Sequence, residues 1–417
     1  MTDTAKKDDA KNYWAIEGVQ RGGGMIKPVT SVLGPSAISQ GLKVIDCDAH
    51  FTEPPDLWTS RAPASMKSRM PFIRRVDGMD MWFCGDVNLG TLGGTVVDNQ
   101  RNKFLGKLSF PTFEEMHPSS YDVKERIKVL DEFGIWAQIL YLNSGCTQIG
   151  TLLSFEDRAI GEAIISIYND ACAERQVESG QRLFQMALLP YWDSKALIKE
   201  AIRCVEVLGL KGFVLPDKPE NYGIPGFLNS YWAPFFELCS ERKIPINFHF
   251  AAALDGFALA WDDFPFERRM GVGAALFYLG NAATLSNFLL SGLFDKYPGL
   301  RMVSVESGLG WIPFILEALE YQMDEMMPNE KKKLQRRPTE YFRDHFWACY
   351  WFESLPRSTV EAIGVNNILF ETDYPHPTTL YPNINERIEA SLGGYDRAVQ
   401  KRILQDNAVE LYQLPIG

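Results

Sequence analysis

Eight short apolar runs, separated by stretches with helical spacing, constrain this chain more than any other feature. They occupy residues 43–47, 137–142, 183–189, 211–215, 245–250, 301–305, 346–351 and 367–371. Runs this short, with little polar alternation, read as strands covered on both faces. Strands that alternate with helices run parallel, because a helical crossover returns the chain to the same edge. A doubly wound sheet satisfies the same alternation. However, no G-x-G-x-x-G follows the first run, and no Walker A motif occurs. Eight units in 417 residues favour an α/β fold of the (β/α)8 TIM-barrel type, which needs about 250 residues. The surplus is assigned to an N-terminal arm over 1–42 and an insertion over 54–118 after the first strand. Residues 43–417 then form one barrel domain. The insertion is rich in Gly and Pro, with a hairpin pattern over 79–94. A long loop is expected between the fifth run and the helix that starts near 281.

Composition narrows the function. The chain carries 42 Lys+Arg against 53 Asp+Glu, a net charge of -11. That balance argues against a nucleic-acid partner. Residues 1–14 are polar, without a secretory pattern. No apolar run approaches the roughly 18–20 residues of a membrane span. A cytoplasmic protein that meets neither membrane nor nucleic acid is therefore expected. The seven Cys are scattered, without C-x-x-C, and read as reduced, mostly buried thiols. The five His are the scarcer resource: His50, His117, His249, His345 and His376.

In a barrel, chemistry gathers where the C-terminal ends of the strands converge. Those ends carry Asp48 and His50, then His249, then Glu306, then Asp373 and His376. Asp48 and His50 are two residues apart, so an extended strand points both to one face. Imidazole and carboxylate together suit Zn, Mn or Fe. Carboxylates at the end of apolar strands are costly to bury unless paired or metal-bound. The six residues contain enough ligands for one or two divalent ions. Glu306 either ligates or orients a ligand. Arg268 and Arg269 suit a bidentate hold on a substrate carboxylate; a solvated or ion-paired surface pair is the plainer alternative. Trp311 caps the pocket or fills core. Glu53 either supports the site or stabilises its loop. His345, before a strand at the far end of the barrel, is read as structural; His117 lies in the insertion and enters the mouth only if the insertion folds over it.

These motifs resemble a known family. VIDCDAHFTEPPDLW (44–58), KYPGLRMVSVESGLGWIPFILEALE (296–320), NILFETDYPHP (367–377) and NAVELYQL (407–414) are similar to signatures of the amidohydrolase-related group. That group includes enzymes of the aminocarboxymuconate-semialdehyde decarboxylase type. The resemblance spans roughly 43–414 and implies a metal-dependent barrel. It carries the metal role to Asp48, His50, His249 and Asp373, and proton transfer to Asp373. His376, in the short loop after that strand, ligates a second metal, contacts substrate or simply packs the loop. Two departures stand out. Glu306 occupies a position where the group usually has His, and Lys211 lies too early in its strand to serve as a bridging carboxylated lysine.

The resemblance implies a metal-dependent hydrolase or carboxy-lyase acting on a small organic acid or acyl derivative. The carboxylate-rich ligand set keeps an alternative open. That alternative is a dinuclear non-haem Fe or Fe/Mn oxygenase, resembling 2-aminoisobutyrate hydroxylase and working with a related barrel subunit. The expected partners are a small-molecule substrate and either further copies of the chain or such a related subunit.

Overall fold

The computed structural model describes residues 25–27, 34–144, 149–153, 155–249 and 256–416. All eight apolar runs contain strands. They are β1 (Val44–His50), β2 (Ile135–Tyr141), β3 (Leu183–Gln185), β4 (Phe213–Val214), β5 (Pro245–His249), β6 (Arg301–Val305), β7 (Phe346–Tyr350) and β8 (Ile368–Phe370). β1, β2 and β3 pair in parallel, as do β4 to β8 in sequence order. Two seams close the ring. A parallel bridge joins Ala187, just past β3, to Phe213 of β4, and another joins Ala49 of β1 to Tyr374, just past β8. At the second seam the Asp373 amide donates to the Asp48 carbonyl (2.8 Å) and the His50 amide to the Tyr374 carbonyl (2.7 Å). The fold is thus the expected (β/α)8 barrel, whose closure leaves no exposed strand edge.

Two cores follow from this closure. Ile45, Cys47, Ala137, Ile139, Phe184, Met186, Val303, Val305, Cys349 and Leu369 fill the barrel interior. The C-terminal helix Asn407–Tyr412 adds Ala408, Leu411 and Tyr412 to that cluster. A second, larger core lies between strands and helices, with Leu130, Phe133, Ile164, Tyr168, Leu197, Phe235, Leu289 and Leu316 facing inward. Tyr412 and Tyr141 both donate to Asn247 Oδ1, at 2.7 and 3.1 Å. This buried bond pair ties the C-terminal helix to β2 and β5.

Several expected boundaries shift. The long helix is Arg158–Glu178, capped by Asp157, whose carboxylate accepts from the Ala159 amide; Ser154 lies outside the described residues. Arg268 and Arg269 sit on a helix, Phe266–Ala275, where a loop was expected. The continuous stretch Phe266–Leu289 is also long and apolar enough to cross a membrane, contrary to the reading of the apolar runs. Its second half buries Leu285, Phe288 and Leu289 against the barrel. Within 54–118 the expected hairpin forms from Met79–Cys84 and Val87–Thr91, and Phe72–Val76 adds a third antiparallel strand. Six cysteines are free and buried; Cys146 lies outside the described residues.

Candidate metal centre

The strand ends deliver six ligand-type side chains to one mouth. Asp48 and His50 come from β1 and His249 ends β5; Glu306 directly follows β6, and Asp373 and His376 follow β8. A register shift in β1 between Asp46 and Ala49 changes the inward parity of that strand. Ile45 and Cys47 therefore fill the interior below, while Asp48 and His50 also face inward at the mouth. Glu306 and Asp373 both adopt left-handed backbone, with φ of 51° and 56°. Non-glycine residues rarely do so, and such strain concentrates at functional sites.

Two sets of four ligand atoms lie within 4.8 Å of one another. One comprises Asp48, His50, His249 and Glu306; the other comprises His50, Glu306, Asp373 and His376. His249 Nε2 faces His50 Nε2 at 3.1 Å, Asp48 Oδ1 at 3.3 Å and Glu306 Oε2 at 3.3 Å. His50 Nε2 stands 3.4 Å from Asp373 Oδ1, and His376 Nδ1 stands 3.2 Å from that same oxygen. The His50 and His376 rings stack with centroids 3.4 Å apart.

The chemistry of these donors fits a divalent cation. Both oxygens of Asp48 and Oδ1 of Asp373 are buried without a hydrogen-bond partner. Leaving such groups unmatched is expensive. Among the described residues, no lysine or arginine pairs with Asp48, Glu306 or Asp373. Burial, and then the neighbouring His376, push His50 down to about 3. Burial also lowers His249 and His376. All three rings are neutral near pH 7 and offer lone pairs. Burial, reinforced by the Asp373 charge, holds Asp48 and Glu306 well above the ordinary carboxylate range. A cation at their focus would reverse that trend.

A layer of residues that the motifs did not single out holds these ligands. The His50 Nδ1 nitrogen lies 2.9 Å from the Leu142 carbonyl, and His376 Nε2 lies 2.8 Å from Asn143 Oδ1. The fully buried Arg126 donates to the carbonyls of His50 and Ser119 and to Gln138 Oε1. Gln138 in turn donates to Asp46, which also accepts from the amide and hydroxyl of Thr372. Glu371 accepts from the Glu306 amide at 3.1 Å. Asn143 and Glu371 stand at or just past apolar runs, a signal that could have exposed them. Nothing local marks Arg126, which lies within the helix Val123–Phe133.

The remaining candidates lie outside the cluster. Glu53 accepts from the Asn143 and Ser144 amides and so stabilises the loop after β2. Trp311 donates its indole N–H to the Ser307 and Gly308 carbonyls and stacks on Tyr278. It anchors the loop that follows Glu306. Arg268 is exposed and Arg269 half-buried, and neither joins the six converging ligands. His117 reaches Tyr374 through the Ser119 hydroxyl, so the insertion does fold against the mouth. His345 bonds the Leu300 carbonyl and stacks on Phe294, a packing role.

Comparison with known proteins agrees with this architecture. The amidohydrolase family model matches residues 155–414. The chain is 26% identical over 312 residues to a gamma-resorcylate decarboxylase of Polaromonas sp. (strain JS666), covering 72% of this chain and 90% of that one. It is also 26% identical over 316 residues to a gamma-resorcylate decarboxylase of Rhodococcus jostii (strain RHA1), covering 72% and 91%. Among solved structures, an amidohydrolase of Mycobacterium avium subsp. paratuberculosis superposes with a TM-score of 0.68 at 19% identity, covering 89% of this chain and 99% of that one. A dihydroxybenzoic acid decarboxylase of Polaromonas sp. JS666, with bound manganese and 2-nitroresorcinol, gives 0.58 at 20% identity, covering 90% and 98%. With its closed barrel and a family match over more than half its length, the chain belongs to the amidohydrolase family and is an enzyme of that superfamily.

Proposed function

We propose that this enzyme is a metal-dependent, non-oxidative carboxy-lyase acting on a small hydroxylated aromatic acid. The observation that carries the reading is the convergence of three carboxylates and three neutral imidazoles in two overlapping ligand sets at one barrel mouth. The two curated relatives described above, both gamma-resorcylate decarboxylases, support decarboxylation over hydrolysis. Asp48, His50, His249 and Asp373 would hold the ion, with Glu306 and His376 completing the set. The manganese in the Polaromonas structure makes Mn the first ion to test. A bound divalent ion supplies a Lewis acid that clamps the substrate's oxygens.

The chain's own residues handle the proton. In decarboxylation the carbon–carbon bond breaks and carbon dioxide leaves. The electron pair stays on the ring carbon, which takes up one proton. Asp373 Oδ1 and His376 Nδ1, 3.2 Å apart, form the pair that would take a proton from the substrate's own acidic group and pass it to that carbon. The Thr378 hydroxyl donates to Asp373 Oδ2 at 2.9 Å and keeps the other oxygen facing the mouth. Asp48, His50 and Asp373 are almost wholly shielded from solvent, which lowers the local dielectric around the ion they would hold.

The carboxylate share of the ligands favours one second reading, a dinuclear iron oxygenase. A paired measurement separates the two: metal content of natively purified protein, and carbon dioxide release from dihydroxybenzoates without oxygen. Release that depends on Mn or Zn is the expected result. Two Fe per chain, with oxygen consumption and no release, would sink the carboxy-lyase. Asp373→Asn is expected to abolish release while the fold survives.

A further inference from the structure

We infer that Asn143 is a positioning residue that sets the tautomer of His376, so that Nδ1, not Nε2, faces the reacting centre. The inference deepens the proposed function, because it states how one member of the proton-handling pair is prepared.

The argument starts from the amide of Asn143, which is buried just past β2. Its orientation is dictated by the backbone of one residue, Gly94. The Gly94 amide donates to Asn143 Oδ1 at 3.0 Å, and the Gly94 carbonyl accepts from Asn143 Nδ2 at 3.3 Å. A flipped amide would set donor against donor and acceptor against acceptor. Asn143 Nδ2 also donates to the Thr52 hydroxyl at 2.7 Å. The oxygen is therefore the atom presented to His376 Nε2, at 2.8 Å. A carbonyl oxygen only accepts, so Nε2 must carry the hydrogen. The neutral ring then has its lone pair on Nδ1, which stands 3.2 Å from Asp373 Oδ1.

The neighbouring residue does the opposite to the neighbouring ring. The Leu142 carbonyl lies 2.9 Å from His50 Nδ1, so that nitrogen carries the hydrogen and Nε2 is left bare. Two consecutive residues after β2 thus assign opposite tautomers to two stacked imidazoles. Their bare nitrogens both lie within 3.4 Å of Asp373 Oδ1. Gly94 is fitted to this task. A Cβ on it would lie 3.0 Å from His376 Cδ2, and at Gly93, with φ of 103°, one would lie 2.3 Å from the Asn143 carbonyl. The insertion after β1 therefore closes on Asn143 and His376 through two glycines.

Neutron diffraction from crystals of the deuterium-exchanged, metal-loaded wild-type protein reads the tautomer directly. The expected result is a deuteron on His376 Nε2 and none on Nδ1. A deuteron on Nδ1, or an Asn143 amide with its nitrogen toward His376, would overturn the inference. Kinetics supply the second arm. Asn143→Leu removes the acceptor and should lower kcat at least tenfold with KM changed less than threefold, in the range of lost ligand-orienting contacts. Asn143→Asp keeps the acceptor and should recover most of that loss; equal losses in both variants would mean a packing role only and would refute the proposal. The neutron result needs no substrate, so it stands or falls independently of the decarboxylase reading.

Discussion

Stripping the metal should make stability steeply pH-dependent, and the charge geometry gives the size of the effect. Glu306 shares one ligand set with Asp48 and the other with Asp373, with ligand atoms no more than 4.8 Å apart. Two unit charges at that separation repel by about 3 kcal/mol at an effective dielectric constant of about 20. Asp48 and Glu306 hold protons well above the ordinary carboxylate range when no cation is present. In the unfolded chain such groups ionise near pH 4. The stripped folded protein therefore binds more protons than the unfolded chain above that pH. Its stability is full at low pH and is lost as pH rises toward the folded values. The loaded protein keeps these carboxylates ionised against the cation and escapes the loss. The Tm gap between loaded and stripped protein should thus widen from pH 5.5 to 8. Glu306→Gln removes one charge from the cluster. In stripped protein at pH 8 it should restore about 3 kcal/mol, or roughly 3 °C in Tm for a chain of this size. The same variant should bind the ion more weakly. Scanning calorimetry of manganese-loaded and chelator-treated samples measures both. A stripped protein whose Tm is flat with pH, or a Glu306→Gln variant indistinguishable from it, would show that the three carboxylates do not share one field.

Other perturbations probe the supporting layer. Burial raises Asp46 from 3.8 to about 6 against four hydrogen bonds that pull the other way. Between pH 4.5 and 7.5 the wild type should lose about 2 kcal/mol more than Asp46→Asn, read by denaturant titration at both pH values; parallel curves would contradict the raised value. Arg126→Met strands three acceptors, the carbonyls of Ser119 and His50 and Gln138 Oε1. At about 1 kcal/mol or more each, unfolding should become easier by about 3 kcal/mol, and a change below 1 kcal/mol would remove Arg126 from the supporting layer. Gly94→Ala sets a methyl 3.0 Å from His376 Cδ2. Turnover should fall about tenfold while Tm moves by a few degrees at most; unchanged turnover would mean that the loop simply shifts aside.

Much of this molecule is legible without a structure, and particular residues show why. Each of the eight strands overlaps an apolar run, because a strand covered on both faces is mostly apolar. His249 and Glu306 could be placed at strand ends because β5 and β6 stop where the apolar run stops. Arg268 and Arg269 show the opposite case. Their helix follows a segment without clear periodicity, and the helix face they occupy is set by contacts rather than by pattern. The same holds for Trp311, whose indole serves the backbone of its own loop.

The order of strands and helices, and the acidic and imidazole side chains at the strand ends, are properties of the sequence by itself. They follow from local periodicity, which a single segment carries. Ring closure, the β1 register shift, the left-handed turns at Glu306 and Asp373, and the tautomers of His50 and His376 belong to the tertiary structure alone. Each depends on a hydrogen bond or close approach between residues distant in the chain, such as Asn143 and His376, Asp46 and Thr372 or Gly94 and Asn143. Periodicity carries no record of such meetings. They are decided when the barrel closes and burial makes every unpaired polar atom costly.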